Sequence, residues 1–255
     1  MSPSKTPGLL ILGGTHEALA FARFFHNHGI RVIYSISGLV RQPVLPCTVI
    51  SGGFSHRGGL SQVLLNEPIS AVLDATHPFA TTISQRAIQA TKQHQIPYWR
   101  WQRPPWRPTR QDQWQTFGQW SALAQAVRPY SRILLTVGRL SRWQWQTLAP
   151  QRKQHLYLRT ATANVMPYPM QTYGIQQIGS LSIDQEIALL SKHRIEVLVT
   201  KNSGGDPTYA KIEAARRANI PVLLLNRPFQ PTSCIQFSRL ESCHQHILDY
   251  FAHAL

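Results

Sequence analysis

Two short polar loops hold the residue types that can do chemistry. Residues 201–208, KNSGGDPT, bring together a cation (Lys201), an amide (Asn202), a hydroxyl (Ser203) and two glycines (Gly204, Gly205). Residues 74–80, DATHPFA, set Thr76 and His77 ahead of Pro78 and Phe79. A cation, a hydroxyl and backbone amides bared by glycine suit an anion near a helix N-terminus. An imidazole can donate to a phosphate, to a substrate or to a reacting atom. A lone histidine is more often structural, so the position of His77 in the fold decides its meaning.

The flanking residues say where these loops sit. Residues 195–200 are a short apolar, β-branched run, 209–218 have helical composition, and 220–225 are a second apolar run. The order strand, loop, helix, strand places the loop at the carboxyl edge of a parallel sheet, where open α/β sheets bind ligands. The same plan recurs 124 residues earlier: Thr76 aligns with Thr200, Ala90 with Ala214, Ile96-Pro97 with Ile220-Pro221, and Arg103-Pro104 with Arg227-Pro228. These identities are too few to show ancestry, and α/β proteins share such punctuation anyway. They still support two α/β halves. Residues 102–119, with prolines at 104, 105 and 108, read as the connection, and the next buried strand is 131–137. The expected domains are therefore 1–127 and 128–255.

The first half opens in the dinucleotide-binding style. Residues 9–12 are a strand running into Gly13, Gly14, Thr15, His16 and Glu17, and a helix follows with Ala18, Phe21, Ala22 and Phe25 on one face. Residues 13–18, GGTHEA, lack the middle glycine of G-x-G-x-x-G, so the motif alone is weak. In its setting, Gly13 and Gly14 let backbone N–H groups approach a phosphate and Thr15 adds a hydroxyl donor. A plain glycine-rich turn is the bland alternative. A site that holds NADH by its ribose hydroxyls carries Asp or Glu at the end of the second strand. Here that stretch offers Ser35, Ser37, Gly38 and Arg41 and no acid, a set that can receive a 2′-phosphate. That favours NADPH over NADH. Residues 51–60, SGGFSHRGGL, either help close the cofactor site or form a flexible connection.

The chain has 255 residues, 43% of them hydrophobic, enough for real cores. No apolar run approaches a membrane span, and no signal-peptide core is present. Cys47, Cys234 and Cys243 form no close pair, which indicates a reducing, cytoplasmic setting and argues against a cysteine zinc site. His244 and His246 beside Cys243 read as a solvated helix face rather than metal ligands, so no metal is expected. The net charge of +15, from 26 Lys and Arg against 11 Asp and Glu, implies an acidic partner. Seven tryptophans lie between Trp99 and Trp145, interleaved with Arg100, Arg103, Arg107, Arg110, Arg139 and Arg142. They suit stacking on nucleobases, a pocket for a large flat anion, or a tryptophan-rich core with a basic rim. A nucleic-acid-binding protein is disfavoured, because there is no basic arm, zinc finger or RNA-recognition motif.

These pieces together resemble the precorrin-6A reductase family, CobK/CbiJ. The matching stretches are 11–20, ILGGTHEALA; 51–54, SGGF; 74–80, DATHPFA; 96–106, IPYWRWQRPPW; 134–138, LLTVG; and 200–228 with K-N-S-G-G, Lys211, I-P and R-P. Two departures are the stretch 177–182, QIGSLS, where the family has a Gln-Gly-Pro-Phe-like segment, and the stiffer Asp206-Pro207. The resemblance implies two Rossmann-like parallel-sheet domains flanking a cleft. It implies hydride transfer from a nicotinamide cofactor to one double bond of precorrin-6A, or its cobalt form, a nearly flat ring edged with carboxylates. On that basis Gly13, Gly14, Thr15, His16, Glu17, Ser35, Ser37, Gly38, Arg41, Thr76, His77, Pro78 and Phe79 are expected to hold the cofactor. Arg100, Arg103, Arg139, Lys201, Asn202, Ser203, Gly204, Gly205 and Lys211 are expected on the substrate side. His77, Lys201 and bound water are equal candidates for the proton donor. A monomer or weak oligomer is expected. The alternative within the same chemistry is a reductase of another anionic substrate.

Overall fold

A computed structural model describes residues 6–38, 43–148, 150–161, 171–229 and 234–254. Strand β1 (Gly8–Leu12) is buried along its whole length, as befits a parallel strand covered on both faces. Helix α1 (His16–Asn27) follows, capped by Thr15, and buries Ala18, Phe21, Ala22 and Phe25. Gly29, at φ +80°, turns the chain into β2 (Arg31–Ile36). The first half continues through β3 (Thr48–Ser51), α2 (Leu60–Asn66), β4 (Ile69–Asp74), α3 (Thr81–Gln93) and β5 (Tyr98–Trp101). Next come β6 (Trp114–Phe117), α4 (Trp120–Ala126), β7 (Arg132–Thr136), α5 (Arg142–Leu148), β8 (His155–Thr160) and β9 (Thr172–Gln176). The chain ends with α6 (Ile183–Lys192), β10 (Val197–Lys201), α7 (Ala210–Arg217), β11 (Val222–Leu225), β12 (Ile235–Phe237) and α8 (Leu240–Ala254).

Two six-stranded sheets result, in the orders β12-β5-β4-β1-β2-β3 and β6-β11-β10-β7-β8-β9, and every described pairing is parallel. This is the doubly wound, Rossmann-like arrangement expected, made twice. Each sheet has its switch point between two central neighbours: β1 and β4 in the first, β7 and β10 in the second.

The boundaries differ from those expected. Contacts divide the chain into Met1–Pro104 with Phe229–Leu255, and Pro105–Pro228, rather than at residue 127. The reason is an exchange of edge strands. β6 pairs with β11 in the second sheet, and β12 pairs with β5 in the first. The proline-rich stretch read as a connection therefore contains a strand of the second unit. β3 and β9, short edge strands with few fully buried residues, and the seven-residue helices α4 and α5 carry too little pattern to stand out in sequence.

Strand pairing also corrects the internal repeat. Asp74 lies opposite Arg100, and Thr200 lies opposite Leu224. The counterpart of Thr200 is therefore Asp74, not Thr76, although β5 and β11 keep the expected register after their Ile-Pro pairs. Of the seven tryptophans, five (Trp99, Trp101, Trp106, Trp120 and Trp145) are buried, so the core reading of that region holds for most of them. Trp143 is 57% exposed. Among the described residues no helix is long and apolar enough to cross a membrane.

Helix α8 closes the first unit. Cys243, Ile247 and Phe251 join the core formed by α1, β1, β2, β4 and β5, and burial pushes the Cys243 thiol up to about 12. His244 stacks on Phe24, ring centroids 3.6 Å apart and nearly parallel, while His246 meets the edge of Trp99. Burial, and secondarily the charge of His28, hold the His244 pKa below its ordinary 6.5 against the opposing pull of Glu241. A histidine depressed in the folded state binds its proton more readily when unfolded. Its contribution is thus complete above pH about 6.5 and is lost as pH falls through the lower folded value. Melting temperature should drop between pH 7 and pH 5, and His244→Phe should flatten that dependence in calorimetric scans.

Candidate active site

The loop after β4 is built around one buried carboxylate. Asp74 is fully buried, and its Oδ1 accepts from the Thr76 N–H at 3.0 Å and the Thr76 hydroxyl at 2.6 Å. Oδ2 accepts from the Tyr98 hydroxyl at 2.7 Å and Arg100 Nη1 at 3.0 Å. Four donors thus saturate the acceptor sites of the carboxylate. Burial, and then the adjacent Asp74, push the Tyr98 phenol well above its usual value, so it stays a donor. The arrangement bends the backbone at Thr76 and presents His77, Pro78 and Phe79. His77 Nδ1 accepts the Phe79 N–H at 3.2 Å, which puts the proton of the neutral ring on Nε2.

The glycine turn after β1 is fixed differently from the sequence expectation. The Gly13 N–H donates to the Ser35 carbonyl at 2.8 Å, and the Gly14 N–H to the Tyr34 hydroxyl at 2.9 Å. The Thr15 hydroxyl donates to the Ala75 carbonyl at 2.7 Å and accepts the Ala18 N–H at 3.1 Å. The groups assigned to a phosphate therefore tie the β1 turn to β2 and to the β4 loop. The amides of His16 and Glu17 in the first turn of α1 precede its first helical hydrogen bond. Gly13 is required sterically, because a Cβ there would lie 2.2 Å from Tyr34 Cζ.

These loops surround a cavity of about 800 Å³ at the carboxyl edge of the first sheet, over its switch point. Gly13, Gly14, Ser35, Ser37, Thr76, His77 and Phe79 all line it, as does the glycine-rich segment through Gly53, Phe54 and Gly59. Among the described lining residues there is no carboxylate and one cation, Arg86. Arg86 escaped the sequence reading. Its signal is the polar stripe of Thr82, Arg86, Gln89 and Gln93 along one face of α3, all of which reach the cavity. Thr15, Glu17, Pro78 and Arg103 group in a separate small crevice beside Trp101. His16 and Gly38 are exposed and line neither, and Arg41 lies outside the described residues.

Two of the expected substrate arginines belong to the interior of the first unit. Arg100 is 2% exposed and paired with Asp74, and its Nε and Nη2 find no partner among the described residues. Arg103, also buried, grips both oxygens of Glu17 at 2.9 and 3.1 Å. Arg100 thus cannot meet a macrocycle without unfolding β5, and the expectation for it is corrected.

In the second unit the 201–205 loop is clamped by Trp106 and Arg227. Asn202 pairs with the backbone of Trp106, accepting its N–H at 2.9 Å and donating to its carbonyl at 3.2 Å. Its amide is thus structural, not substrate-facing. Trp106 Nε1 donates to the Gly205 carbonyl at 2.9 Å, and Arg227 donates to the Asn202 and Ser203 carbonyls at 3.0 Å each. Gly204 and Gly205 hold φ of +67° and +73°, a region that favours glycine. Lys201 ends β10 rather than starting the loop, and burial lowers its pKa from 10.5. Ser203 is buried, its N–H bonded to the Lys201 carbonyl at 2.7 Å. Lys211 is 7% exposed, donates to the Thr208 carbonyl at 3.0 Å, and sits over Trp106 at 5.0 Å. Arg139 is exposed after β7.

The profile of the family described as Precorrin-6x reductase CbiJ/CobK matches residues 8–248. The chain belongs to that family. Its members are oxidoreductases that use a nicotinamide cofactor. A Precorrin-6A reductase of Rhodococcus erythropolis is 36% identical over 226 residues, covering 88% of this chain and 90% of the relative. A Cobalt-precorrin-6A reductase of Synechocystis sp. is 26% identical over 237 residues, covering 86% and 87%. A solved structure titled CobK precorrin-6A reductase superposes with a TM-score of 0.86 at 30% identity, covering 96% of this chain and 97% of that one.

The buried ion pair yields a direct test. Asp74→Asn leaves the Arg100 guanidinium in the interior without a counter-charge, which should cost about 3–5 kcal/mol. Urea denaturation followed by fluorescence measures it, and a loss below about 1 kcal/mol would contradict the role given to Asp74.

Proposed function

We propose that this protein reduces precorrin-6A to precorrin-6B in cobalamin biosynthesis, with NADPH as reductant. The observation that carries the reading is the cavity at the first switch point, lined by glycines, serines and His77, in a member of this reductase family. A bound nicotinamide supplies the hydride. The residues of this chain hold and orient the cofactor and the ring, and keep water from the reacting carbon. The first-turn amides of α1 receive the pyrophosphate. Ser35 and Ser37 at the end of β2 take the adenosine side, and with no carboxylate among the described lining residues a 2′-phosphate meets no repulsion there. Arg86 adds the positive charge that favours NADPH. Higher identity to the metal-free reductase (36%) than to the cobalt-named one (26%) supports precorrin-6A without cobalt as substrate.

On the substrate side, the second unit carries 16 Lys and Arg against 6 Asp and Glu, a balance suited to a ring edged with carboxylates. Arg139, Lys201, Ser203 and Lys211 face that partner, and Lys201 is the proton donor. Its partial burial eases proton release, which is what a donor to a ring carbon needs at neutral pH. His77 binds the cofactor through its Nε2–H. The three cysteines are free, in keeping with a cytoplasmic setting.

Purified protein mixed with precorrin-6A, or its cobalt form, and NADPH or NADH should show nicotinamide oxidation together with a shift of the macrocycle spectrum. No oxidation with any pair from folded protein would sink the proposal. Ser37→Asp should raise KM for NADPH at least about tenfold and leave NADH use unchanged or improved. Lys201→Ala should lower kcat about 10²-fold or more. In the wild type, kcat should decline on the alkaline side below pH 10.5, because the ammonium with a lowered pKa is lost as pH rises through that value.

A further inference from the structure

The second sheet has its own switch point, and a second cavity lies there. It measures about 190 Å³ and is lined by Gly138 after β7, Arg159 and Thr160 at the end of β8, and Thr208 and Lys211 where β10 leads into α7. These positions correspond to Gly13-Gly14 after β1, Ser35 at the end of β2, and the Thr76–Thr81 region after β4, which line the first cavity. The two sheets thus place a cavity at the same topological point, the point where open α/β sheets take ligands.

Size and charge differ between the two. A space of 190 Å³ is below the range of drug-sized ligand sites, roughly 300 Å³ and upward, and admits only a group of a few heavy atoms. Arg159 Nη1 donates to both oxygens of Glu186 at 2.9 and 2.7 Å, and these side chains are 12% and 5% exposed. Lys211 is buried beside them, so two cations and one carboxylate line the cavity, with one positive charge in excess. The Thr208 hydroxyl is buried and has no hydrogen-bond partner among the described residues. Thr136 and Thr160 add two more hydroxyl-bearing side chains to the lining. One excess charge surrounded by hydroxyls matches a single monoanion that accepts several hydrogen bonds.

We propose that this cavity is a one-carboxylate subsite that seats a single acidic arm of the substrate, anchoring the ring by the second unit. The proposal rests on the reading of the protein as a reductase of a carboxylate-edged macrocycle. Lys211 and Arg159 set the charge, Glu186 limits it to one, and the Thr208 hydroxyl supplies a donor that a carboxylate can use.

The test uses the full chain and the probe 3,3,3-trifluoropropionate, followed by ¹⁹F NMR line broadening and displaced by propionate or by inorganic phosphate. Lys211→Met should weaken probe binding at least about tenfold, the loss of one hydrogen bond to a charged group. Glu186→Gln keeps the shape and removes the competing charge, so it should tighten binding several-fold. A purely structural Glu186 has no such effect. Unchanged binding in both variants overturns the subsite, and so does tighter displacement by phosphate than by propionate, which would mark a phosphate site. The two proposals fail separately. If wild-type protein reduces the macrocycle and Lys211→Met does so with unchanged KM, the subsite is wrong and the reductase stands. If the probe responds as expected while neither nicotinamide is oxidised with either macrocycle, the function is wrong and the anion site stands.

Discussion

The first unit is organised around the Asp74 carboxylate. Removing a carboxylate and a guanidinium from water is costly, and the cost is offset only where geometry is good and the remaining acceptor sites are filled. Asp74 meets both conditions on the carboxylate side, with Arg100 on one oxygen beside Tyr98 and both donors of Thr76 on the other, while Nε and Nη2 of Arg100 have no partner among the described residues. The pair therefore joins β4 to β5 and at the same time dictates the turn that presents His77 and Phe79. Arg100 is also registered against Gln236 of β12, so its burial depends on the chain returning from the second unit to complete the first sheet. The position of the cavity loop is thus coupled to the closing of the sheet edge.

The second unit solves the same problem with different chemistry. Thr200 and Leu224 occupy the places of Asp74 and Arg100, so the ion pair of the first unit has no counterpart at these positions. Hydrogen bonds to backbone groups replace it. The Asn202 amide closes on the Trp106 backbone, the Trp106 indole reaches Gly205, and Arg227 spans two carbonyls. Arg103 and Arg227 are the arginines of the two R-P pairs that mark the internal repeat. Both serve as clamps just after β5 and β11, one on a carboxylate and one on backbone. The repeat is one of architecture, and its shared residues brace loops.

This explains what was legible in the sequence. Apolar stretches within 9–12, 131–137 and 195–200 announced buried parallel strands, because a strand covered on both faces needs apolar residues along most of its length. The glycines and the His77 loop pointed to the correct sheet edge, since parallel connections leave that edge open. What the sequence could not carry was the destination of individual polar groups. Nothing local separates Arg100, buried on Asp74, from Arg139, which is exposed. Nothing local says that the Gly14 amide meets Tyr34, 20 residues on. The exchanged strands β6 and β12 were equally hidden, because which sheet a short edge strand joins depends on partners more than 90 residues away, such as β11 for β6.

The charge distribution follows the same division. Two arginines beside the loops of the first unit are neutralised internally, Arg100 by Asp74 and Arg103 by Glu17. In the second unit Arg107, Arg110, Arg128, Arg139, Arg142 and Arg152 are exposed. Exposed charges act over roughly the Debye length, about 8 Å in physiological salt, and raise the local concentration of an anion without orienting it. Orientation requires desolvated groups at fixed positions, such as Lys211 and Arg159, whose settings are fixed by Trp106 and Glu186. A flexible ring with acidic groups around its whole edge would be drawn in by the first set in any orientation. Only the second set can distinguish one arm from another. In the proposed subsite, selection among the arms of a near-symmetric ring would rest on a few desolvated cations and not on the net charge of +15.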